Sequence, residues 1–228
     1  MPRKARIVIP GAPHHVTHRG NNGGLLFATD RERAWYLRAL KEESQEHHVK
    51  VIAWCLMSNH VHLVLVPKDE KGLQRAVGIA HKRFSHRSNR ERGQSGHLWG
   101  DRYFSCPMDD RHLVAAVRYV EQNPLRAGLA TVAESYRWSS AAGHCGGSDS
   151  SGLTNPLDWA RHHPGHVWRK MLAIQESETN LARIRASTLQ GQPLVSDERL
   201  VKLETAMGRA LRVRGRGRPA RERDTEER

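Results

Sequence analysis

The hydrophobic pattern at the start of the chain changes from strand periodicity to helix periodicity. Residues 14–19 predict a short strand, which the turn-rich residues 20–24 close. Thr29 and Glu32 then have the spacing of a capping box, in which each residue satisfies a backbone N–H of the other at a helix start. Apolar positions at helical spacing follow, so we expect a helix that runs to about residue 47.

Two apolar runs rich in β-branched residues come next, at 49–57 and 60–67, with turn-forming residues between them. They predict a β-hairpin. A second amphipathic helix should follow, and residues 103–108 can supply a fourth strand. The apolar stripe of that second helix recurs at helical spacing in Leu73, Val77, Ala80 and Phe84.

A third helix is expected to begin at Asp109 or Asp110, whose side chains suit an N-cap. Pro124 should end it, because the residue before a proline resists helical torsion angles. The predicted order is therefore strand, helix, strand, strand, helix, strand, helix. This order matches a ferredoxin-like α+β fold, a split βαβ with an antiparallel sheet and the helices packed on one face.

The composition changes after Trp138, where a run rich in Gly and Ser has the character of a flexible linker. Residues 157–175 and 197–211 predict helices of an appendage. Six arginines and no acidic residue lie between Arg209 and Arg221, with glycines and a proline interleaved, so this tail should order only on a polyanion. The predicted division is a catalytic domain at 1–142, a linker at 143–155, a helical appendage at 156–208 and a basic disordered tail at 209–228.

The chain has 228 residues, with 37 Lys and Arg against 24 Asp and Glu, a formal net charge of +13. Such an excess favours a polyanionic partner, and nucleic acid is the common one in the cytosol. The mean hydropathy of −0.68 and the shortness of the apolar runs argue against a membrane protein. Three widely spaced cysteines, with no C-x-x-C pair, argue against a disulfide framework and a four-cysteine zinc site. We therefore expect a cytoplasmic protein.

Candidate chemistry is concentrated in the second hairpin strand and the third helix. His60 and His62 are two residues apart, so in a strand both imidazoles project from the same face and form half of a metal site. Tyr119 and Asn123 are four residues apart, so on a helix they lie one above the other. We expect this helix to present a phenol and an amide oxygen to the two imidazoles.

These residues lie in segments that resemble a known family. Met57-Ser58-Asn59-His60-Val61-His62-Leu63 and the helix from Arg118 to Leu129 are similar to motifs of the single-tyrosine HUH transposases, and within them to the REP-associated tyrosine transposases of bacteria. The segments around His15 and Tyr136 add to the resemblance. Together they cover roughly residues 10–145 well and the appendage loosely.

The resemblance implies a nuclease and strand transferase that recognises a hairpin and cuts single-stranded DNA beside it through a 5′-phosphotyrosine. Tyr119 would be the nucleophile, and His60, His62 and Asn123 would bind a divalent ion, Mg²⁺ or Mn²⁺. Many relatives outside this subgroup have Gln at the last position. It also implies a bacterial protein that associates with the nucleoid through DNA. From their charge or polarity and their position near the predicted site, the candidate DNA-binding residues are Arg19, Asn21, Lys82, Arg83, Arg102 and Arg126.

Two other functions are compatible with the same residues. The chain is then either a hairpin-binding protein without turnover, or a metal-dependent hydrolase that uses a histidine-bound water and forms no tyrosine adduct. The oligomeric state is also open, because more distant relatives exchange their nucleophile helices between subunits. The long appendage is a reason to expect a monomer, but a homodimer is the alternative.

Overall fold

The computed structural model describes residues 6–208 and 210–211. Apart from Ala210 and Leu211, the predicted basic tail lies outside the described residues. Among those that are described, no helix combines the length and the apolar character needed to cross a bilayer.

The first half of the chain forms the predicted elements in the predicted order. At the first helix, the Thr29 hydroxyl accepts from the backbone of Glu32, and the Glu32 carboxylate accepts from that of Thr29, so the capping box is confirmed. Asp109 caps the third helix by accepting from the backbone N–H of His112. The elements are β1 (His14–Arg19), α1 (Asp30–Glu46), β2 (Val49–Leu56), β3 (His60–Pro67), α2 (Gly72–Arg92), β4 (Phe104–Pro107) and α3 (Asp110–Glu121).

The four strands form one sheet in the order β2-β3-β1-β4, with every neighbouring pair antiparallel. This is the topology of the predicted ferredoxin-like fold. The register of β1 against β3 pairs Arg19 with His60 and Thr17 with His62. Cross-strand partners share a face of the sheet, so these four side chains point to the same side.

Helices cover both faces of the sheet, and the prediction that they pack on one face is wrong. Helices α1 and α2 cover the face that carries Val61, Leu63 and Leu65. Helix α3 covers the opposite face, where Val64 and Cys55 contact it. The physical reason is that β2 and β3 are apolar at both alternations of the pleat, and two apolar faces each require cover.

The C-terminal half is helical, but its elements differ from the prediction. The helix expected at 157–175 is two helices separated by residues 161–164, and one further helix at 178–190 was not expected at all. The helices are α4 (Asn123–Arg126), α5 (Ala141–His144), α6 (Pro156–Ala160), α7 (Gly165–Ala173), α8 (Glu178–Gln190) and α9 (Asp197–Met207).

Helix α7 packs against α3, and helix α8 packs against the sheet. Trp168 and Leu172 of α7 and Ile184 of α8 are buried in the apolar cluster that contains α3. In the predicted linker, the Asp149 carboxylate accepts hydrogen bonds from Ser151 and Thr154, which forms a turn. The proposed boundaries between catalytic domain, linker and appendage stay a prediction.

Candidate active site

A cavity of about 470 Å³ opens on the α3 face of the sheet, between β1, β3, α3, α4 and α8. It contains the histidine pair and the tyrosine that were predicted from sequence, together with residues of the C-terminal helices. Its lining residues are His15, Thr17, Arg19, Met57, His60, His62, Phe104, Tyr119, Asn123, Arg126, Ala127, Arg185, Thr188 and Leu189.

The two imidazoles of β3 are neighbours on one face, with ring centroids 5.0 Å apart. Burial, with a smaller effect of Arg19, lowers the pKa of His60 to about 4. Burial also lowers the pKa of His62 well below its usual value, and the nearby His15 adds to the shift. Both rings are therefore neutral at pH 7, and a neutral imidazole has a nitrogen lone pair that can bind a metal.

The turn before β3 fixes the orientation of His60. Its Nδ1 donates to the side-chain oxygen of Asn59 at 2.7 Å, so the lone pair of the neutral ring is on Nε2. Asn59 is held in turn, because its amide nitrogen donates to the Gly23 carbonyl at 3.2 Å. The Gly20 N–H donates to the Asn59 carbonyl at 2.9 Å, so the loop after β1 supports this turn.

His62 is held by a second buried histidine. The Nδ1 of His62 lies 3.0 Å from the Nε2 of His15, and the planes of the two rings are nearly parallel, 6° apart. The Nδ1 of His15 lies 2.8 Å from the hydroxyl oxygen of Thr188 on α8.

Tyr119 of α3 faces these rings nearly perpendicularly. Its ring centroid lies 5.5 Å from that of His62 and 5.4 Å from that of His15. The tyrosine is 6% exposed and borders the cavity. The structure therefore brings the predicted phenol to the predicted imidazole pair within one chain.

Asn123 follows a break in the helix at Gln122 and is the first residue of α4. Its side-chain nitrogen donates to the carbonyl of Tyr119 at 3.1 Å. The amide oxygen is therefore the atom that Asn123 can offer to the cavity. The break keeps Asn123 beside Tyr119 although the regular helix has ended.

The side chains at this site fit a divalent ion. No group of three or more His, Cys, Asp or Glu side chains with metal-site geometry occurs in residues 6–208. The available donors are instead the His60 and His62 imidazoles and the Asn123 amide oxygen. A mixed nitrogen and oxygen donor set suits Mn²⁺, and the oxygen donor suits Mg²⁺.

Three arginines give the cavity its positive charge. Arg19 and Arg126, both predicted to bind DNA, line it, and Arg185 of α8 joins them. Arg126 Nη2 donates to the carbonyl of Tyr119 at 2.5 Å, and its guanidinium lies 4.5 Å from the tyrosine ring centroid. The Nη1 of Arg126 is buried with no hydrogen-bond partner among the described residues.

The other predicted DNA-binding residues are not part of the cavity lining. Arg83 lies on α2, which covers the opposite face of the sheet. It forms ion pairs with Glu42 and Glu43, each at 2.6 Å. Lys82 is exposed on the same helix. The remaining two positions, Asn21 in the loop after β1 and Arg102 before β4, also lie outside the lining.

The other tyrosines and the cysteines have packing roles. The Tyr36 hydroxyl is 3.0 Å from His81 Nε2, and the Tyr136 hydroxyl donates to the Leu56 carbonyl. Tyr103 is buried. All three cysteines are free and buried, and burial raises the pKa of Cys106 to about 12.

Sequence reasoning did not identify the contributions of Arg185 and Thr188, because it did not predict α8. A signal for this helix is present in the sequence. Ser177 caps it by accepting from the backbone of Asn180, Leu181 and Ile184 form its buried side, and Gly191 ends it with a left-handed φ of 65°. His15 lies in a segment noted for its resemblance, but no contact to His62 was predicted.

Comparisons with known proteins show which family and which solved structures this chain is similar to. Residues 14–123 match the family described as IS200-like transposase. The fold is similar to that of a REP-associated tyrosine transposase bound to a REP hairpin, with a TM-score of 0.55 and 18% identity over 70% of this chain and 92% of that chain. A candidate transposase from Deinococcus radiodurans R1 has 16% identity over 53% and 97%, with a TM-score of only 0.37. No curated protein matches the sequence.

Proposed function

Through residues 14–123 this chain belongs to the IS200-like transposase family, and we propose that it cuts and rejoins single-stranded DNA beside a hairpin through a 5′-phosphotyrosine. Membership of a transposase family makes it a DNA-cleaving enzyme in general terms. The observation that carries the finer proposal is the position of the Tyr119 ring, 5.5 Å from the His62 ring in an arginine-lined cavity.

Tyr119 is the proposed nucleophile. Its oxygen would form a bond to the phosphorus while the bond from phosphorus to the 3′ oxygen breaks, which leaves a 5′-phosphotyrosine and a free 3′ hydroxyl. The proton that the phenol loses is balanced by the proton that the leaving 3′ oxygen gains. Because one phosphodiester replaces another, the step is reversible and rejoining needs no ATP.

His60, His62 and Asn123 are the proposed metal-binding residues. When bound there, a divalent ion supplies charge stabilisation at a non-bridging phosphate oxygen. The chain contributes the orientation of its donors, because the Asn59 oxygen fixes the free nitrogen of His60 before any ligand arrives. Because both rings are already neutral, neither has to lose a proton before it binds a metal.

The arginines are proposed to bind the scissile phosphate. Arg126 has one buried guanidinium nitrogen without a partner among the described residues and lies over the face of Tyr119. An anion beside the phenol would satisfy that nitrogen with a charge-assisted hydrogen bond. Arg19 and Arg185 border the same cavity and add to its positive potential.

Phe104 is the proposed contact for an unpaired base. It borders the cavity and is 41% exposed, so a ligand in the cavity can reach its ring. An aromatic face stacks on any base without sequence preference. Trp99 does not offer such a contact, because it is buried against His81 with ring centroids 3.9 Å apart.

A covalent-adduct experiment tests the proposal. The full chain is incubated with Mn²⁺ and a pool of 3′-labelled, single-stranded oligonucleotides in which a stable hairpin is flanked by random sequence. We expect a labelled protein band on a denaturing gel. The band should be absent for Tyr119→Phe and present for Tyr103→Phe, because the Tyr103 hydroxyl is buried without a hydrogen-bond partner in the described residues.

The other outcomes identify the alternatives. A shift on a native gel with neither adduct nor cleavage would indicate a hairpin-binding protein. Cleavage that survives Tyr119→Phe would indicate a hydrolase that uses water. Either result would overturn the phosphotyrosine mechanism.

A further inference from the structure

We propose that His15 and Thr188 are positioning residues, which hold His62 in the one tautomer whose free nitrogen can bind a metal. The inference rests on the proposed function for its biological meaning. Its evidence is a chain of three buried hydrogen bonds that connects α8 to β1 and β3.

The direction of this chain follows from its far end. The Thr188 hydroxyl lies 2.7 Å from the backbone carbonyl of Ile184. A carbonyl oxygen only accepts, so the single hydroxyl proton of Thr188 is donated there. The hydroxyl oxygen can therefore only accept from the Nδ1 of His15, which lies 2.8 Å away.

The position of the proton on His15 then determines that on His62. A neutral imidazole has one N–H and one lone pair, so a proton on Nδ1 leaves Nε2 as an acceptor. That Nε2 lies 3.0 Å from the Nδ1 of His62, which must then be the donor. The remaining nitrogen of His62, Nε2, is left with its lone pair.

This arrangement matches the one at His60, where the Asn59 oxygen also accepts from Nδ1. Both imidazoles of the pair thus have Nδ1 as the donor and Nε2 as the free nitrogen. Partners that accept from the second nitrogen of a metal-binding histidine set its tautomer and orientation. Asn59 is this partner for His60, and His15 is this partner for His62.

Burial makes this series of hydrogen bonds sensitive to the loss of any one partner. His15 is 2% exposed and Thr188 is also 2% exposed, so no bulk water replaces a lost partner at low cost. If the Thr188 oxygen is removed, the Nδ1–H of His15 has no acceptor. His15 would then gain by donating from Nε2 to His62, which would place the His62 proton on Nε2 and block that nitrogen.

The tautomers of His15 and His62 can be measured directly in the metal-free, DNA-free full chain. Histidine is labelled with ¹⁵N, and long-range proton–nitrogen correlation spectra distinguish a protonated ring nitrogen from a free one. We expect both rings as the Nδ1–H form. A wild-type His62 with its proton on Nε2 would overturn the proposal without any variant.

Substitutions at Thr188 provide the second readout. Thr188→Val keeps the side-chain volume and removes the oxygen, so we expect His62 to populate the Nε2–H form and Mn²⁺ affinity to fall by about 10-fold, at the low end for partners of metal-binding residues. Thr188→Ser should restore both properties. Thr205→Val is the matched control, since Thr205 on α9 makes the same helix bond, to the Val201 carbonyl, but is exposed.

Unchanged tautomers and unchanged Mn²⁺ affinity in Thr188→Val would overturn the proposal. Its failure can be told apart from failure of the proposed function. If the protein forms no DNA adduct but shows the expected tautomers, only the proposed function is contradicted. If it forms the adduct but His62 has the other tautomer, only this inference is contradicted.

Discussion

Arg126 contacts the proposed nucleophile in two ways at once. One guanidinium nitrogen donates to the Tyr119 carbonyl, and the guanidinium plane lies over the tyrosine ring. Burial lowers the pKa of Arg126, but from so high a starting value that the side chain stays charged at neutral pH. It therefore brings a fixed positive charge to the place where a phosphate would meet the phenol.

Replacement of Arg126 should slow the chemical step. We expect Arg126→Ala to reduce the single-turnover rate of adduct formation by about 100-fold, the typical effect of one preorganised donor at a developing charge. Arg126→Lys should recover only part of the lost rate. An ammonium group cannot donate to the Tyr119 carbonyl and to the phosphate at the same time in the way that a planar guanidinium does. Arg75→Ala, an exposed change on α2, is the control. Full recovery by lysine would show that charge alone matters.

At the residue scale, the sequence predicts contacts that are local in the chain. Two histidines two apart on a strand, and a tyrosine and an asparagine one helical turn apart, are placed together by periodicity alone. The contact of His15 with Thr188 joins residues 173 positions apart, and no periodicity encodes it. Such partners become visible only when the packing of α8 on β1 is known.

Helix α3 is anchored by a buried carboxylate on the side away from the cavity. Glu121 is fully buried and accepts from the Ser140 hydroxyl at 2.5 Å and the Trp168 indole N–H at 2.8 Å. The Nδ1 of His144 lies 2.7 Å from the same carboxylate. Residues of α5 and α7 thus hold the helix that carries Tyr119.

Loss of the indole donor should destabilise the fold. Trp168→Phe leaves one oxygen of Glu121 without this partner, and we expect the free energy of unfolding to fall by about 1–3 kcal/mol beyond the cost of the smaller ring. Trp159→Phe measures that ring cost, because Trp159 lies in the same cluster and its indole nitrogen has no partner among the described residues. Urea unfolding of both variants gives the difference. Equal destabilisation would show that the hydrogen bond contributes nothing.

At the element scale, the prediction succeeded for elements whose bounds depend only on residues close together in the sequence. The capping box of α1, the hairpin strands and the end of α3 before Pro124 follow from short segments. Which face of the sheet a helix covers depends on the whole fold, and the one-face prediction failed because β2 and β3 are apolar on both sides. Helix α8 was missed because its apolar positions are few, and most of its surface is exposed.

At the scale of the whole molecule, one chain supplies every part of the proposed site. The proposed nucleophile, the histidine pair and the arginines come from β1, β3, α3, α4 and α8 of the same polypeptide. The end of α3 is also hydrogen-bonded to the end of α7 and to the segment after it. Gln122 donates from its side chain to the Leu172 and Ile174 carbonyls at 2.9 and 2.8 Å, and Arg118 pairs with Glu176 at 2.8 Å.

These ties oppose an exchange of α3 between subunits. To place Tyr119 in a neighbouring molecule while residues 140–176 stay on their own sheet, the helix would have to break the bonds of Gln122 and Arg118 and uncover the buried Glu121. Each buried polar group left unsatisfied costs about 1–3 kcal/mol. The arrangement therefore favours a site that works in cis, whether or not two chains associate through other surfaces.

Mixed inactive variants distinguish a cis site from an exchanged one. Tyr119→Phe and His62→Ala are co-expressed with different tags and purified through both tags in turn, or mixed at equal concentration if no pair is recovered. A cis site predicts no labelled adduct in the mixture, because neither chain holds both the phenol and the imidazole pair. Wild type diluted with Tyr119→Phe is the control, and its adduct should follow the amount of wild type. An adduct in the mixture would mean that Tyr119 reaches the histidines of another chain. Helix α3 would then exchange either without the bonds of Gln122 and Arg118 or together with the segment that accepts them.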